Sequence, residues 1–262
     1  MPMLDKISEE KAQRAKMIVV SYPLNPTCTC ADKAFYEKLV AFAKKYNPDF
    51  HVCYNKGHVG YLDKPVIKDY SYFSFESLPG VEWGYLDFPV SAKYMRNFGK
   101  ECLGLTSRFH TEWGDFHAFR NEAAMEYEVF SMLSHGCKCT IGDQMDYWGK
   151  LNKDMYQQIG RVYKSVEEKE PWCENAKPVS EIGVFTAEEF YATGVAGQIP
   201  GASEGVARLL MEYGYQFDFI DSTSDFGKYR LLILPDVIPV DEILGRKLSA
   251  YINAGGKLLA SY

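Results

Sequence analysis

The sequence lacks three features that would each indicate a class of protein. No run approaches the ~18 apolar residues that a membrane-spanning helix needs, so we expect no such span. The formal net charge is −6, which leaves no basic face to neutralise phosphates and argues against nucleic-acid binding. Residues 1–16 are charged and lack the apolar centre of a signal peptide, so we expect a cytoplasmic protein.

Cysteine is present, but its number and spacing do not indicate a disulfide framework. The seven cysteines are an odd number and are scattered, which fits reduced thiols better. Cys28 with Cys30, and Cys137 with Cys139, have C-x-C spacing, which is not the usual zinc spacing. Two strand residues that are two apart share a face, so a paired metal site is conceivable, but buried or idle thiols are the simpler interpretation. We therefore expect no metal and no cofactor.

Aromatic residues are abundant: Tyr, Phe and Trp together make up 15% of the chain. Aromatic surfaces suit sugar rings, but aromatic side chains also fill hydrophobic cores. Composition alone favours the core.

Strand and helix patterns alternate along the first ~170 residues, which predicts a parallel sheet with right-handed crossovers. The predicted strands are 17–22, 50–54, 70–75, 101–106 and 138–141, and 55–68 is predicted to be a loop. Helices are predicted after the capping residues Asp32 and Asn121, and over 88–98 and 152–168.

A charged segment with two prolines, 167–178, indicates a domain boundary, so we predict domains 1–172 and 173–262. Strands are predicted at 182–185, 216–220, 231–234 and 257–260, with helices capped by Ser203 and Asp241. This pattern is typical of a doubly wound α/β unit.

Acidic residues follow three of the predicted strands. Glu76 comes directly after the aromatic strand 70–75, Asp115 lies between Trp113 and Phe116, and Asp143 follows strand 138–141. Sites in parallel α/β folds lie at the carboxyl ends of strands. Glycoside hydrolysis uses two carboxyl groups, ~5 Å apart in retaining enzymes and ~6.5–9.5 Å apart in inverting ones. These acids are therefore candidate catalytic residues, although ion pairing, an Asx-turn or helix capping would also explain them.

Other polar and aromatic residues share these loops. Arg108 and His110 are two apart at a strand end, so they share a face and could bind hydroxyls or a charged group. Trp113 could stack on a sugar ring or fill the core, and Gln144 could orient substrate. Glu122 and Glu126 are interpreted as solvated, and no role is assigned to His51, His58, His117 or His135.

The spaced motifs resemble a bacterial group of hypothetical glycosyl hydrolases and α-L-fucosidase-like proteins that is related to the family 42 β-galactosidases. They are Phe75-Glu76-Ser77-Leu78-Pro79, Trp83-Gly84-Tyr85, Gly104-Leu105-Thr106-Ser107-Arg108-Phe109-His110, Trp113-Gly114-Asp115-Phe116 and Gly142-Asp143-Gln144. The resemblance implies a (β/α) barrel-type domain, a carbohydrate substrate, and a following flavodoxin-like domain that forms trimers. Strand 17–22 would then be about the fourth of the barrel and strand 138–141 the eighth, so we expect an incomplete barrel and a shortened second domain.

Two departures from the resemblance keep alternatives open. Family 42 enzymes carry a nucleophilic Glu at the end of the seventh strand, where this chain has Leu105-Thr106-Ser107-Arg108. Fucosidase-like barrels carry a nucleophilic Asp after the fourth strand, where this chain has Val20-Ser21-Tyr22. A sugar-binding or oligomer-forming relative without activity, and a different α/β enzyme such as an isomerase or lyase, are therefore the alternatives. Glutamine hydrolysis by the amidotransferase-like second domain is excluded, because residues 180–262 contain neither Cys nor His.

Overall fold

The structure is a computed structural model that describes residues 3–20, 30–80, 83–111, 113, 115, 117–191 and 197–261. The chain divides into two compact units, residues 1–52 and 53–262. The predicted residues Ser21, Tyr22, Cys28, Gly114 and Phe116 lie outside the described part. The predicted boundary between residues 172 and 173 stays a prediction.

The first unit contains two helices, α1 (Glu9–Arg14) and α2 (Lys33–Tyr46), and a 3-10 turn at Leu4–Lys6. Asp32 caps α2 as predicted, since its carboxylate accepts a hydrogen bond from the Phe35 amide at 2.8 Å. The predicted strand 17–22 is not formed over its described residues, 17–20, and the predicted strand 50–54 is not formed either. Met17 and Val19 are both 76% exposed, so their side of this apolar run is not covered by the described part of the chain.

The second unit contains two parallel sheets. The first has the order β1-β2-β3 and the second the order β5-β4-β6-β7. The strands are β1 (Phe73–Glu76), β2 (Cys102–Ser107), β3 (Lys138–Gly142), β4 (Ile182–Phe185), β5 (Phe217–Ile220), β6 (Leu231–Leu234) and β7 (Lys257–Ala260). The helices are α3 (Asp87–Met95), α4 (Glu122–Ser134), α5 (Lys153–Glu167), α6 (Glu170–Cys173), α7 (Gly201–Glu212) and α8 (Glu242–Asn253). The predicted strands from β1 onward and their connecting helices are confirmed, within one to three residues at each end.

Two local predictions are wrong. Residues 55–68 are not a plain loop, because Tyr61–Asp69 forms a 3-10 helix; further 3-10 turns lie at Arg96–Phe98, Ala187–Glu189 and Phe226–Lys228. Ser203 does not cap α7, which begins at Gly201 after Pro200. Instead, Ser203 is buried and its hydroxyl accepts a hydrogen bond from the Ala187 amide at 3.4 Å.

One hydrophobic core serves both sheets. It includes Phe73 and Phe75 of β1, and Phe217 and Phe219 of β5. Helix α3 lies within this core, and all nine of its residues are buried. Its charged side chains are therefore paired: Asp87 accepts from the Gly197 amide at 2.8 Å, and Lys93 donates to the Phe217 carbonyl at 3.4 Å.

Candidate active site

The carboxyl ends of β1, β2 and β3 bring the predicted site residues to one edge of the first sheet. Glu76 is paired in register with Leu105, and Ser107 with Gly142. The Arg108 amide extends the pairing by donating to the Gly142 carbonyl at 3.0 Å. Parallel strands align their ends in this way, so the side chains that follow each strand meet at the same edge.

Trp113 joins two of these strand ends. Its indole Nε1–H donates to Glu76 Oε2 at 3.2 Å, and both side chains are partly buried. The other end of the ring lies against Gly142, where an added Cβ would be 2.3 Å from Trp113 Cη2. The Phe109 ring packs edge-on against Trp113 with centroids 5.9 Å apart. The loop after β2 therefore carries Trp113 across the sheet edge and orients the carboxylate of Glu76.

Arg108 and Asp143 form a buried ion pair. Arg108 Nε donates to Asp143 Oδ1 at 2.7 Å, and the two side chains are 5% and 7% exposed. Asp143 Oδ1 also accepts from the Gln144 amide at 2.7 Å. Arg108 stacks over the Phe109 ring, 4.0 Å from its centroid. These contacts make Asp143 the counter-ion of Arg108.

The remaining predicted residues are more exposed. Asp115 accepts a hydrogen bond from the Thr111 hydroxyl at 3.0 Å, within its own loop. His110 and Gln144 are exposed at the same sheet edge. Ser107, which was quoted only as part of a motif, has a buried hydroxyl without a hydrogen-bond partner among the described residues. A buried hydroxyl normally forms a hydrogen bond, and a water molecule or a ligand hydroxyl would be a suitable partner.

Sequence reasoning missed the residues that anchor this loop. Arg120 Nη1 donates to Thr106 Oγ1 at 2.7 Å and contacts Glu128 Oε2 at 2.5 Å, all three being buried. Burial raises the pKa of Glu128 to about 7, although the charge of Arg120 opposes that rise. A signal was present, because Glu128 lies on the same stripe of α4 as Met125 and Met132. A carboxylate on an apolar helix face requires a buried partner.

A cavity of about 1060 Å³ lies at the opposite end of this sheet, beside Cys102, Cys137 and Lys138, where β2 and β3 begin. Ligands of parallel sheets bind at the carboxyl ends, so we place the site at the Glu76 edge. Among the described residues, no group of three or more His, Cys, Asp or Glu side chains could hold a metal ion. In the same part of the chain, no helix has the length and apolar character required to cross a membrane.

Comparison with solved structures shows a shared fold. α-L-Fucosidase isoenzyme 2 from Paenibacillus thiaminolyticus matches with a TM-score of 0.80 and 35% identity, over 87% of this chain and 35% of that one. A β-galactosidase from Rahnella sp. R3 matches with a TM-score of 0.68 and 16% identity, over 87% of this chain and 39% of that one. The chain therefore spans little more than a third of these enzymes' length.

A shorter similarity, which our sequence analysis did not predict, is to an aminotransferase. The LL-diaminopimelate aminotransferase of Syntrophobacter fumaroxidans is 38% identical over 80 residues, which are 30% of this chain and 19% of that enzyme. A match to less than a fifth of an enzyme supports no conclusion on activity.

The carboxyl-terminal part of the chain matches a known protein family. The family, described as the β-galactosidase trimerisation domain, matches residues 208–262. Those residues include β5, β6, α8 and β7, the parallel α/β part that the sequence predicted. Together with the shared fold, this match relates the chain to the glycoside hydrolases of the family 42 group.

Proposed function

We propose that this protein hydrolyses O-glycosidic bonds of the β-galactoside or α-L-fucoside type and uses Glu76 as one carboxylate of the catalytic pair. The observation that carries the proposal is the hydrogen bond from the Trp113 indole to Glu76 at the carboxyl ends of the strands. An oriented carboxylate beside an aromatic ring supplies both an acid or nucleophile and a surface for a sugar ring.

Asp115 is the better candidate for the second carboxylate. It lies two residues from Trp113, so its Cα is within about 7 Å of the Trp113 Cα, on the loop that reaches Glu76. Among the described residues, its carboxylate accepts an exposed hydrogen bond from Thr111. Asp143 is committed to Arg108 in a buried ion pair, and we assign it to positioning.

The relationship to the family 42 group also supports a proposal on the two domains. We propose that the first sheet belongs to a (β/α) barrel-type domain and the second to a flavodoxin-like domain that mediates homo-oligomer contacts, as a trimer. The trimerisation-domain match at residues 208–262 supports this assignment. No cofactor is required, because the carboxylate chemistry proceeds without one.

A carbohydrate-binding relative without turnover is the second candidate. The Arg108–Asp143 pair favours it, because this pair withdraws one of three candidate carboxylates from chemistry. Binding without turnover would still use the Trp113 ring.

A panel of 4-nitrophenyl glycosides, including β-D-galactoside and α-L-fucoside, tests the proposal. We expect Glu76→Gln to lower hydrolysis by about 10³-fold, because a positioned acid or base contributes about 10²–10⁴-fold. The matched control is Glu122→Gln, which removes an exposed carboxylate paired with Arg161 on the outer helices. Activity equal to wild type in Glu76→Gln would refute the assignment. No turnover of any glycoside, with protection by sugar against thermal unfolding, would favour the binding role.

A further inference from the structure

The loop that joins β3 to α5 presents two adjacent aromatic rings to solvent. Tyr147 is 88% exposed and Trp148 is 71% exposed. Their ring centroids are 4.7 Å apart and their planes are inclined by 40°, so they form an open, V-shaped apolar surface. Exposed apolar surface of this kind marks a site of interaction.

The loop itself is held by hydrogen bonds that do not involve the rings. Asp146 Oδ1 accepts from the Trp148 and Lys150 amides at 3.0 and 3.2 Å. The Gly149 amide donates to the Asp146 carbonyl at 2.9 Å, and the φ of Gly149 is +69°, a conformation that favours glycine. The turn therefore orders the backbone that carries both side chains before any ligand binds, which reduces the entropy cost of binding.

The rings lie at the same sheet edge as the candidate active site. Gly142, at the end of β3, contacts the Trp113 ring. Trp148 lies five positions after Asp143, and such a segment spans at most about 18 Å. Both rings therefore lie within reach of a ligand that binds at this sheet edge and is a few sugar units long.

We propose that Tyr147 and Trp148 form a carbohydrate-binding platform for sugar units of the substrate beyond the one bound at Glu76, so that oligosaccharides are favoured over simple glycosides. The inference rests on the proposed function and adds a substrate class to it. The C–H face of a pyranose ring packs on an aromatic face, and the exposed side chains of Gln144, Asp146 and Lys150 offer hydrogen-bonding groups to its hydroxyls. A second copy of the chain fits this surface poorly, because two rings bury about 150–250 Å² each and a stable interface needs about 800 Å² per partner.

The test compares two substrates with the same terminal sugar, a methyl glycoside and a trisaccharide. We expect Trp148→Ala, and separately Tyr147→Ala, to raise KM for the trisaccharide about tenfold and to leave the methyl glycoside unchanged. Both side chains are exposed, so we expect the variants to fold normally. Trp172→Ala is the matched control, because Trp172 is 84% exposed on α6.

A second readout separates failure of the platform from failure of the proposed function. Binding of the trisaccharide to Glu76→Gln is measured by isothermal titration calorimetry, with and without Trp148→Ala or Trp172→Ala. Loss of affinity with Trp148→Ala alone supports the platform even if no glycoside is hydrolysed. If wild type hydrolyses both substrates and Trp148→Ala affects them equally, the platform is refuted and the proposed function stands. A change in oligomeric state with unaltered sugar affinity would also refute the platform.

Discussion

Gly142 determines where Trp113 lies, and through Trp113 it determines how Glu76 is oriented. A methyl group at this position would be 2.3 Å from the indole ring, a distance that non-bonded carbon atoms do not tolerate. The ring would have to move and its hydrogen bond to Glu76 would be lost. Because Gly142 has no Cβ, the Trp113 ring can lie against the end of β3 and donate its hydrogen bond to Glu76.

We predict that Gly142→Ala lowers the free energy of unfolding by about 1–3 kcal/mol, because overpacking displaces the indole. Hydrolysis of aryl glycosides should fall with it. Urea unfolding and initial rates measure the two effects. Gly160→Ala is the control: nothing lies within 4 Å of an added Cβ in α5, and alanine is the better helix residue. Wild-type stability and rate in Gly142→Ala would contradict the prediction.

The Arg108–Asp143 pair gives a second prediction at this scale. Asp143→Asn should lower the free energy of unfolding by about 3–5 kcal/mol, because it removes the negative charge that pairs with the buried Arg108 guanidinium at 2.7 Å. Urea unfolding at constant pH measures the loss. Glu122→Gln breaks a pair with Arg161 whose side chains are 39% and 59% exposed, and it should cost less than about 1 kcal/mol. Similar losses in the two variants would show that burial does not decide the strength of the pair.

The sequence predicted which residues lie at the strand ends, but it did not predict which of them form ion pairs or hydrogen bonds with each other. It predicted that Glu76, Arg108, Trp113 and Asp143 follow neighbouring parallel strands, and the structure confirms that they do. Ion pairing was one explanation for these acids, and the structure shows that Asp143 is the acid that pairs with Arg108. Strand ends are fixed by local pattern, but the choice between two carboxylates depends on side-chain packing that no spacing encodes.

At the scale of elements, a buried polar chain joins the 3-10 helix Tyr61–Asp69 and helix α3 to the segment after β4. His58 Nδ1 lies 3.0 Å from Ser91 Oγ, and His58 Nε2 lies 2.7 Å from Glu188 Oε1. Glu188 also accepts from the Tyr61 amide at 3.0 Å. All of these side chains but Tyr61 are buried, and the array has the residue types of a Ser-His-Glu triad. Its burial between elements makes it structural rather than catalytic.

This chain of contacts makes stability depend on pH. Burial lowers the pKa of His58, but the contact with Glu188 and the charges of Glu188, Asp87 and Asp63 outweigh burial and raise the pKa above its ordinary value of 6.5. The contribution of the pair is therefore fully present below pH 6.5 and is lost as pH rises through the raised pKa.

We predict that the stability difference between wild type and His58→Gln shrinks as pH rises from 6 to about 9. Unfolding midpoints across this range measure it, with His117→Gln as the control, because His117 is exposed. A difference that stays constant with pH would contradict the assignment of His58.

Helix starts were predictable where the signal is local. Asn121 caps α4 and accepts from the Ala124 amide at 2.8 Å, and Asp241 caps α8 and accepts from the Leu244 amide at 2.7 Å. Ser203 was assigned the same role and is instead a buried residue of α7 that accepts from the Ala187 amide. A capping residue acts on its own next turn, whereas Ser203 serves a neighbouring segment that only the tertiary structure brings near.

At the scale of the whole molecule, the second sheet ends, within the described residues, at the edge strand β7. Leu258 and Leu259 are 36% and 54% exposed there. An apolar edge strand offers unpaired backbone groups and side chains for association. Of the two outer strands of this sheet among the described residues, β5 has buried side chains, whereas β7 carries exposed apolar ones.

We predict that Leu259→Lys lowers self-association at high protein concentration while it changes the free energy of unfolding by less than about 0.5 kcal/mol. Light scattering and sedimentation measure the association. Ile243→Lys is the control, because Ile243 is 69% exposed on helix α8, which offers no unpaired strand edge. Equal effects of the two variants would show that apolar exposure, rather than the edge, drives association.

The sequence by itself determined the order of the strands from β1 onward and of the helices other than α6, the parallel sheets and the edge where the acids gather. These follow from hydrophobic period, capping residues and the rule that parallel strands align their ends. The tertiary structure alone decided that residues 17–20 form no strand, that His58 has partners, and that Asp143 neutralises Arg108. An apolar run becomes a strand only where a neighbour pairs with it, and a buried charge chooses the partner that packing places within reach.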